Sequence, residues 1–261
     1  MTENNGKDLK IEQNKEGEKR KTRNDKGRVI IGKRDVEIMS MVKKFGSVTE
    51  GQIIKMFNFG KVQHVNNCRR ILGRLEKSGY IKREPFLYRG NFYIWFTTKG
   101  VKFFGGKVNP PRLLTLRHDT FVVDFAIQKI KNGVRMEDIM TEVESIRDQD
   151  FGQKKRVLPD LIIGSTAYEI EISEKSSLRL REIIGKHQAN KDIEKTVYIT
   201  DRISIARRIR EISSKVEVML FTGDDLRNIR IYETEKETSL PAQSQQKTAT
   251  ERVAEWLKNP K

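Results

Sequence analysis

The chain has 261 residues, of which 52 are Lys or Arg and 36 Asp or Glu, leaving a formal charge of +16. That length allows one large or two small domains with ordinary cores, and the charge predicts long-range attraction to polyanions. No stretch approaches the roughly 18 to 20 apolar residues of a membrane helix, the first thirty residues carry no apolar signal core, and one cysteine, Cys68, forms neither an intrachain disulfide nor a thiolate zinc cluster; neither membrane insertion nor secretion is expected, and a reduced cytoplasm is the expected setting.

Residues 1–28 mix Lys, Arg, Glu, Asn and Gly with almost nothing to bury, which predicts a disordered basic arm. From Arg34 to Phe45 the apolar residues fall at helical spacing, with Gly46 as C-cap. Thr49 caps a second helix containing Ile53, Ile54 and Phe57. A third helix runs from Val62 to Lys77 and stops at Gly79. The aromatic-rich segment from Tyr80 to Thr98 then reads as two strands around Arg89-Gly90-Asn91. Three helices and a hairpin over 29–109 predict a winged helix-turn-helix that binds double-stranded DNA. The non-core face of the third helix offers Gln63, His64, Asn66, Asn67, Arg69, Arg70 and Arg74, and the wing adds Lys82, Arg83 and Arg89. Asn, Gln and Arg pair with base edges, while Lys and Arg neutralise phosphates.

The double proline Pro110-Pro111 marks the expected domain boundary. Beyond it, residues 110–234 predict a mixed-sheet α/β domain in the order α-β-β-β-α-β-α-β. The expected elements are an amphipathic helix over 114–133, strands Ile139 to Ser145, Val157 to Ile163 and Ala167 to Ile172, a helix from Ser176 to Ala189, a strand in KTVYIT, a helix from Ile203 to Ile212 and a strand in VEVMLFT. Residues 235–261 form a polar C-terminal tail, in which AEWLK near Trp256 suits a short helix.

Acidic residues stand out on these strands. Asp160 sits in the apolar run RVLPDLIIG, and eight residues separate it from Glu169 in AYEIEIS. Strand alternation places Glu169 and Glu171 on one face, where a hairpin brings Asp160 beside them. Gathered carboxylates repel unless a cation bridges them, and oxygen-only ligands suit Mg2+ or Mn2+. Glu142 and Glu144, on one face of the preceding strand, either complete the metal site or lie on an exposed edge. His118 and Asp119, near the start of the domain's first helix, either orient a ligand or cap that helix. The three histidines are scattered and the six tyrosines unpaired, which gives no support to a covalent tyrosyl intermediate.

The spacing PD, eight residues, EIE resembles the core signature of the PD-(D/E)XK phosphodiesterase superfamily, the restriction-endonuclease-like fold. The resemblance implies metal ligation by Asp160 and Glu169. The position of the family's lysine holds Glu171, so Lys175, or Lys154 and Lys155 in the preceding loop, would supply the positive charge. From about Arg34 to Leu220, GRLEKSGYI, LRHD, LPD and EIEISEKSSLRLREII together resemble the MOB-C class of conjugative relaxases and related replication-relaxation proteins. This implies strand nicking at an origin of transfer or replication of a plasmid or integrative element. Asp160, Glu169 and Glu171 would hold the metal, Glu171 acting as second ligand or base, and Lys175 or Arg179 would offset developing charge; Glu144, from the preceding strand, is the further candidate ligand. The expected partners are duplex origin DNA, other relaxosome proteins, a coupling protein and, in one arrangement, a second copy of the chain. A non-catalytic replication accessory and a winged-helix transcriptional regulator are the competing expectations.

Overall fold

The computed structural model describes residues 30–57, 62–85, 92–145, 158–221 and 229–232. The expected basic arm, Arg89, Lys154, Lys155, the C-terminal tail and the side chain of Gln63 lie outside these residues. In the N-terminal half, α1 (Lys33–Phe45) is followed by β1 (Ser47–Thr49), α2 (Glu50–Met56), α3 (Val62–Lys77), β2 (Ile81–Pro85), β3 (Phe92–Phe96) and α4 (Thr98–Phe104). The three strands form an antiparallel sheet in the order β1-β3-β2. Local sequence explains the helix starts. Thr49 Oγ1 accepts from Gln52 N at 3.1 Å while Gln52 Oε1 accepts from Thr49 N at 2.8 Å, a reciprocal capping box. Helix α1 ends at Gly46, whose φ of 80° suits glycine, and a Cβ there would lie 2.3 Å from Asn109 Nδ2.

Helix α4 was not expected. Thr97 caps it by accepting from Gly100 N at 3.1 Å, and Phe104 stacks on Phe96 with ring centroids 5.8 Å apart. Tertiary aromatic packing thus stabilises a seven-residue helix whose own propensity is weak.

The second half comprises α5 (Leu116–Lys131), β4 (Ile139–Thr141), α6 (Glu142–Ser145), β5 (Leu161–Ile163), β6 (Thr166–Ile170), α7 (Ser177–Gln188), β7 (Lys195–Thr200), α8 (Ile203–Ile212), β8 (Glu217–Phe221) and β9 (Ile229–Ile231). Strands β4 to β9 form a six-stranded mixed sheet in sequence order. The β6-β7-β8 pairs are parallel and the outer pairs antiparallel. This is the predicted mixed α/β class, with β9 added at the edge. Helix α5 covers one face, where Phe125 meets Tyr168 and Phe121 meets Phe221. On the other, α7 and α8 bury Leu180, Ile184, Ile205 and Ile209 against Tyr198, Val218 and Leu220.

Two expected strands are corrected. The one predicted from Ile139 to Ser145 ends at Thr141, because Thr141 and Glu144 close a helical turn: Glu144 N donates to Thr141 Oγ1 at 3.2 Å, and Thr141 N donates to Glu144 Oε2 at 3.3 Å. Within the described part of the run from Val157 to Ile163, only Leu161–Ile163 pairs as strand; Pro159, which has no N–H to donate, stands just before it.

The expected boundary at Pro110-Pro111 falls between α4 and α5, yet one hydrophobic core crosses it. Ile38, Val42, Leu72 and Phe96 belong to the same buried cluster as Phe121, Phe125, Ile170 and Phe221. Polar bonds also cross: Gln52 Nε2 donates to Thr120 O at 2.9 Å, Thr141 Oγ1 donates to Lys44 O at 3.0 Å, and Lys44 Nζ lies 2.9 Å from Glu144 Oε2.

Candidate carboxylate site and nucleic-acid face

Antiparallel pairing of β5 with β6 and parallel pairing of β6 with β7 bring Asp160, Glu169 and Tyr198 together. Asp160 immediately precedes β5, and Glu169 lies opposite Tyr198 in the register. Asp160 Oδ2 accepts from Ile170 N at 2.8 Å and lies 3.1 Å from His118 Nε2. Its carboxyl also hydrogen-bonds that of Glu169. A hydrogen bond between two acids needs a proton on one of them, and the surroundings favour it on Glu169. Burial and the neighbouring Asp160 charge push its pKa well above the usual carboxylate range. Burial works against ionisation of Asp160 too, but the hydrogen bond and charge of His118, with the Ile170 amide, outweigh it and hold its pKa below normal.

His118 lies in the first turn of α5 between two acids, with Nδ1 3.2 Å from Asp119 Oδ1. Burial lowers its basicity, but the hydrogen bonds to Asp119 and Asp160 carry its pKa up to about 10, so an imidazolium stands against Asp160 at neutral pH. Asp119 is further tied by Thr115 Oγ1, 2.8 Å from its Oδ2. The pair that the sequence left between ligand orientation and capping therefore anchors Asp160.

Glu171 follows β6, and its backbone N–H continues the ladder to Ile199 O at 2.8 Å. Its buried carboxylate is hydrogen-bonded by Lys175 Nζ on one oxygen and by Ser173 Oγ at 3.1 Å on the other. Lys175 is fixed in turn, since Arg208 Nη1 donates to its carbonyl at 3.0 Å. Thus Asp160, Glu169, Glu171 and Lys175 share one end of β6. Glu144 does not join them, because the turn after β4 directs it to Lys44. Glu142 does approach: its N–H donates to Asp160 O at 3.3 Å, and partial burial together with the Asp160 charge raises its pKa.

Two neighbours were missed from sequence. His187 of α7 is 1% exposed; Nε2 lies 3.2 Å from Glu169 Oε1, but out of line for a hydrogen bond, and neither ring nitrogen has a hydrogen-bond partner among the described residues. Burial holds this imidazole below its normal pKa. The Tyr198 hydroxyl is likewise buried with no hydrogen-bond partner among the described residues, and burial and then Glu169 push its pKa up. No spacing rule connects these residues to Glu169, because their proximity comes from the α7 crossover and the β6-β7 register.

Among the described residues no three His, Cys, Asp or Glu side chains are arranged as a metal-ligand set. The donor chemistry of Asp160 and Glu169 fits Mg2+ or Mn2+ in a more open form, since Mg2+ is commonly bound by one or two carboxylates, with water and phosphate oxygens filling the rest.

On α3, His64, Asn66, Asn67 and Arg70 are exposed, and Arg70 Nη2 donates to Asn67 Oδ1 at 3.0 Å. Three expected DNA-binding arginines hold acids of their own half. Arg69 Nε lies 2.6 Å from Glu50 Oε1, Arg83 pairs with the other Glu50 oxygen, and Arg74 Nη2 lies 2.6 Å from Asp35 Oδ2. Asp35 and Glu50 are almost wholly buried, so these cations compensate charges that would otherwise be costly. The available signal was an acid in the first turn of α1 and of α2, each ahead of apolar residues that must be buried. Lys82 pairs with Glu84 at 3.0 Å, and Arg179 with Glu182 at 2.6 Å. Compared with protein-family models, curated proteins and solved structures, the chain matches none.

Proposed function

We propose that this chain is a DNA-processing protein of a mobile element, in which a winged helix-turn-helix binds duplex origin DNA and a PD-(D/E)XK-like site nicks one strand. The observation that carries the reading is the buried Asp160–Glu169 pair with Lys175 beside Glu171: two carboxyls and a third at one end of a strand, and a lysine four residues beyond the usual place. A divalent cation, when bound by Asp160 and Glu169, supplies Lewis-acid polarisation of a phosphate and a more acidic water. The chain's own groups do the rest. His118 and the Ile170 amide hold Asp160 ionised and oriented, while Lys175 offsets charge on Glu171 and on an approaching phosphate. Glu171 is the candidate base. His64, Asn66, Asn67 and Arg70 form the base-reading face of α3, and Lys82 contributes charge toward the backbone.

The test uses supercoiled plasmid carrying the element's candidate origin, Mg2+ or Mn2+, and wild type beside Asp160→Ala and Glu169→Ala. Open circle from wild type alone is expected. Site-specific binding without nicking would favour a second reading, an accessory or regulatory DNA-binding protein, for which the closed Lys175–Glu171 and His118–Asp160 contacts are the supporting observation.

A further inference from the structure

A cavity of about 390 Å3 opens between the two halves and reaches Asp160 from the α5 side. Its size falls at the lower end of small-ligand pockets, roughly 300 to 1,000 Å3. Phe45, Val122 and Val143 provide apolar wall, and Asn109 and Ser47 provide neutral hydrogen-bonding groups. Two charged side chains lining it are unengaged among the described residues. Arg112 is exposed, and neither its guanidinium nor the partly buried carboxyl of Glu142 makes a hydrogen bond or ion pair among the described residues. The other charged groups are already committed, His118 to Asp119 and Asp160, and Asp119 to Thr115.

An unpaired cation and an unpaired anion on one cavity, not paired with each other, suit a ligand with an anion at one end and N–H donors at the other. The apolar wall between them suits a flat ring. We propose that this cavity takes one nucleotide of the DNA strand, with its phosphate at Arg112 and the donor edge of its base at Glu142, guanine being preferred. Guanine presents N1–H and the N2 amino group side by side, which one carboxylate can accept together. Cytosine and adenine offer an amino group alone, and thymine a single N–H flanked by two carbonyls. The base must leave the stack to enter, so the ligand is single-stranded or extruded DNA. Asp160 lies at the junction of cavity and carboxylate site, placing the bound nucleotide next to the phosphate to be cut. The assignment rests on the DNA-processing reading above and adds to it the base recognised beside the cut.

The experiment titrates the four deoxynucleoside 5′-monophosphates into the full chain by calorimetry, without divalent ions, alongside Glu142→Gln and Arg112→Ala. Both positions are exposed, and unchanged melting temperatures verify folding. Wild type is expected to bind dGMP about tenfold more tightly than dTMP, the value of one good edge pairing. Glu142→Gln should lose that preference, and Arg112→Ala should weaken all four. Equal affinities, no binding, or a preference that survives in Glu142→Gln overturns the assignment. Plasmid nicking by wild type is scored in parallel. Nicking without dGMP preference sinks the pocket alone, whereas dGMP preference without nicking keeps the pocket and sinks the nuclease.

Discussion

Burial and the Asp160 charge favour the protonated form of Glu169, with which a divalent cation would compete, so ion binding is linked to pH. Its folded pKa lies above the unfolded value; the protonated form is favoured by folding, and that contribution is lost as pH rises through the folded value. Mn2+ affinity should therefore rise with pH, with proton release visible as a buffer-dependent binding heat. Glu169→Gln preserves a donor toward Asp160 but no second negative charge. Its melting temperature at pH 8 should equal or exceed that of wild type while Mn2+ affinity falls at least about tenfold, the loss of one charged ligand. Undiminished Mn2+ binding by this variant would move the cation elsewhere. For His118 the folded pKa is raised to about 10, so its stabilisation is full below the usual imidazole range and drains as pH rises toward 10. Urea denaturation should show wild type losing more stability than His118→Gln between pH 6 and 10, by on the order of 2 kcal/mol once partial solvent screening is allowed for. Parallel curves would mean that His118 is not charged in the folded state. The acidic signature Asp160, Glu169 and Glu171 was legible in the sequence because strand alternation and hairpin pairing are local rules. The commitment of His118 to Asp160, 42 positions away, was not.

Helix α4 and the turn after β4 show what element-scale reading misses. Thr141 and Glu144 stand at capping-box spacing, yet the alternation from Ile139 onward also reads as strand, and only the folded environment selects between them. The consequence is functional, because the turn sends Glu144 to Lys44 and leaves Glu142 at the cavity. Helix α4 depends on close contact. A Cβ at Gly100 would sit 2.0 Å from Tyr80 O, a backbone atom that cannot swing aside. Gly100→Ala should therefore lower stability by about 2 kcal/mol or more, measured by chemical denaturation, as overpacking against backbone does. A neutral result would show that α4 can move off the β2 end without cost.

At the scale of the whole molecule, the two halves share one hydrophobic cluster and are joined by polar bonds at Lys44, Gln52 and Thr141. Calorimetry should show one unfolding transition with matching calorimetric and van 't Hoff enthalpies; two resolved transitions would make the halves independent. Duplex binding should weaken steeply with salt, since phosphate contacts release counterions. Arg70→Ala should reduce affinity with little change in stability. Arg69→Ala should reduce stability as well, because it removes a partner of buried Glu50. Periodicity, capping and composition act over a few residues, and they suffice for the α/β class, for helices α1, α2, α3, α5, α7 and α8, for the net charge that favours a polyanion and for the carboxylate spacing. Only the fold sets which acids favour their protonated form, which arginines are tied to buried carboxylates, and where the cavity opens. Those properties depend on charges and surfaces brought together from distant parts of the chain, whose burial multiplies interactions that water would screen.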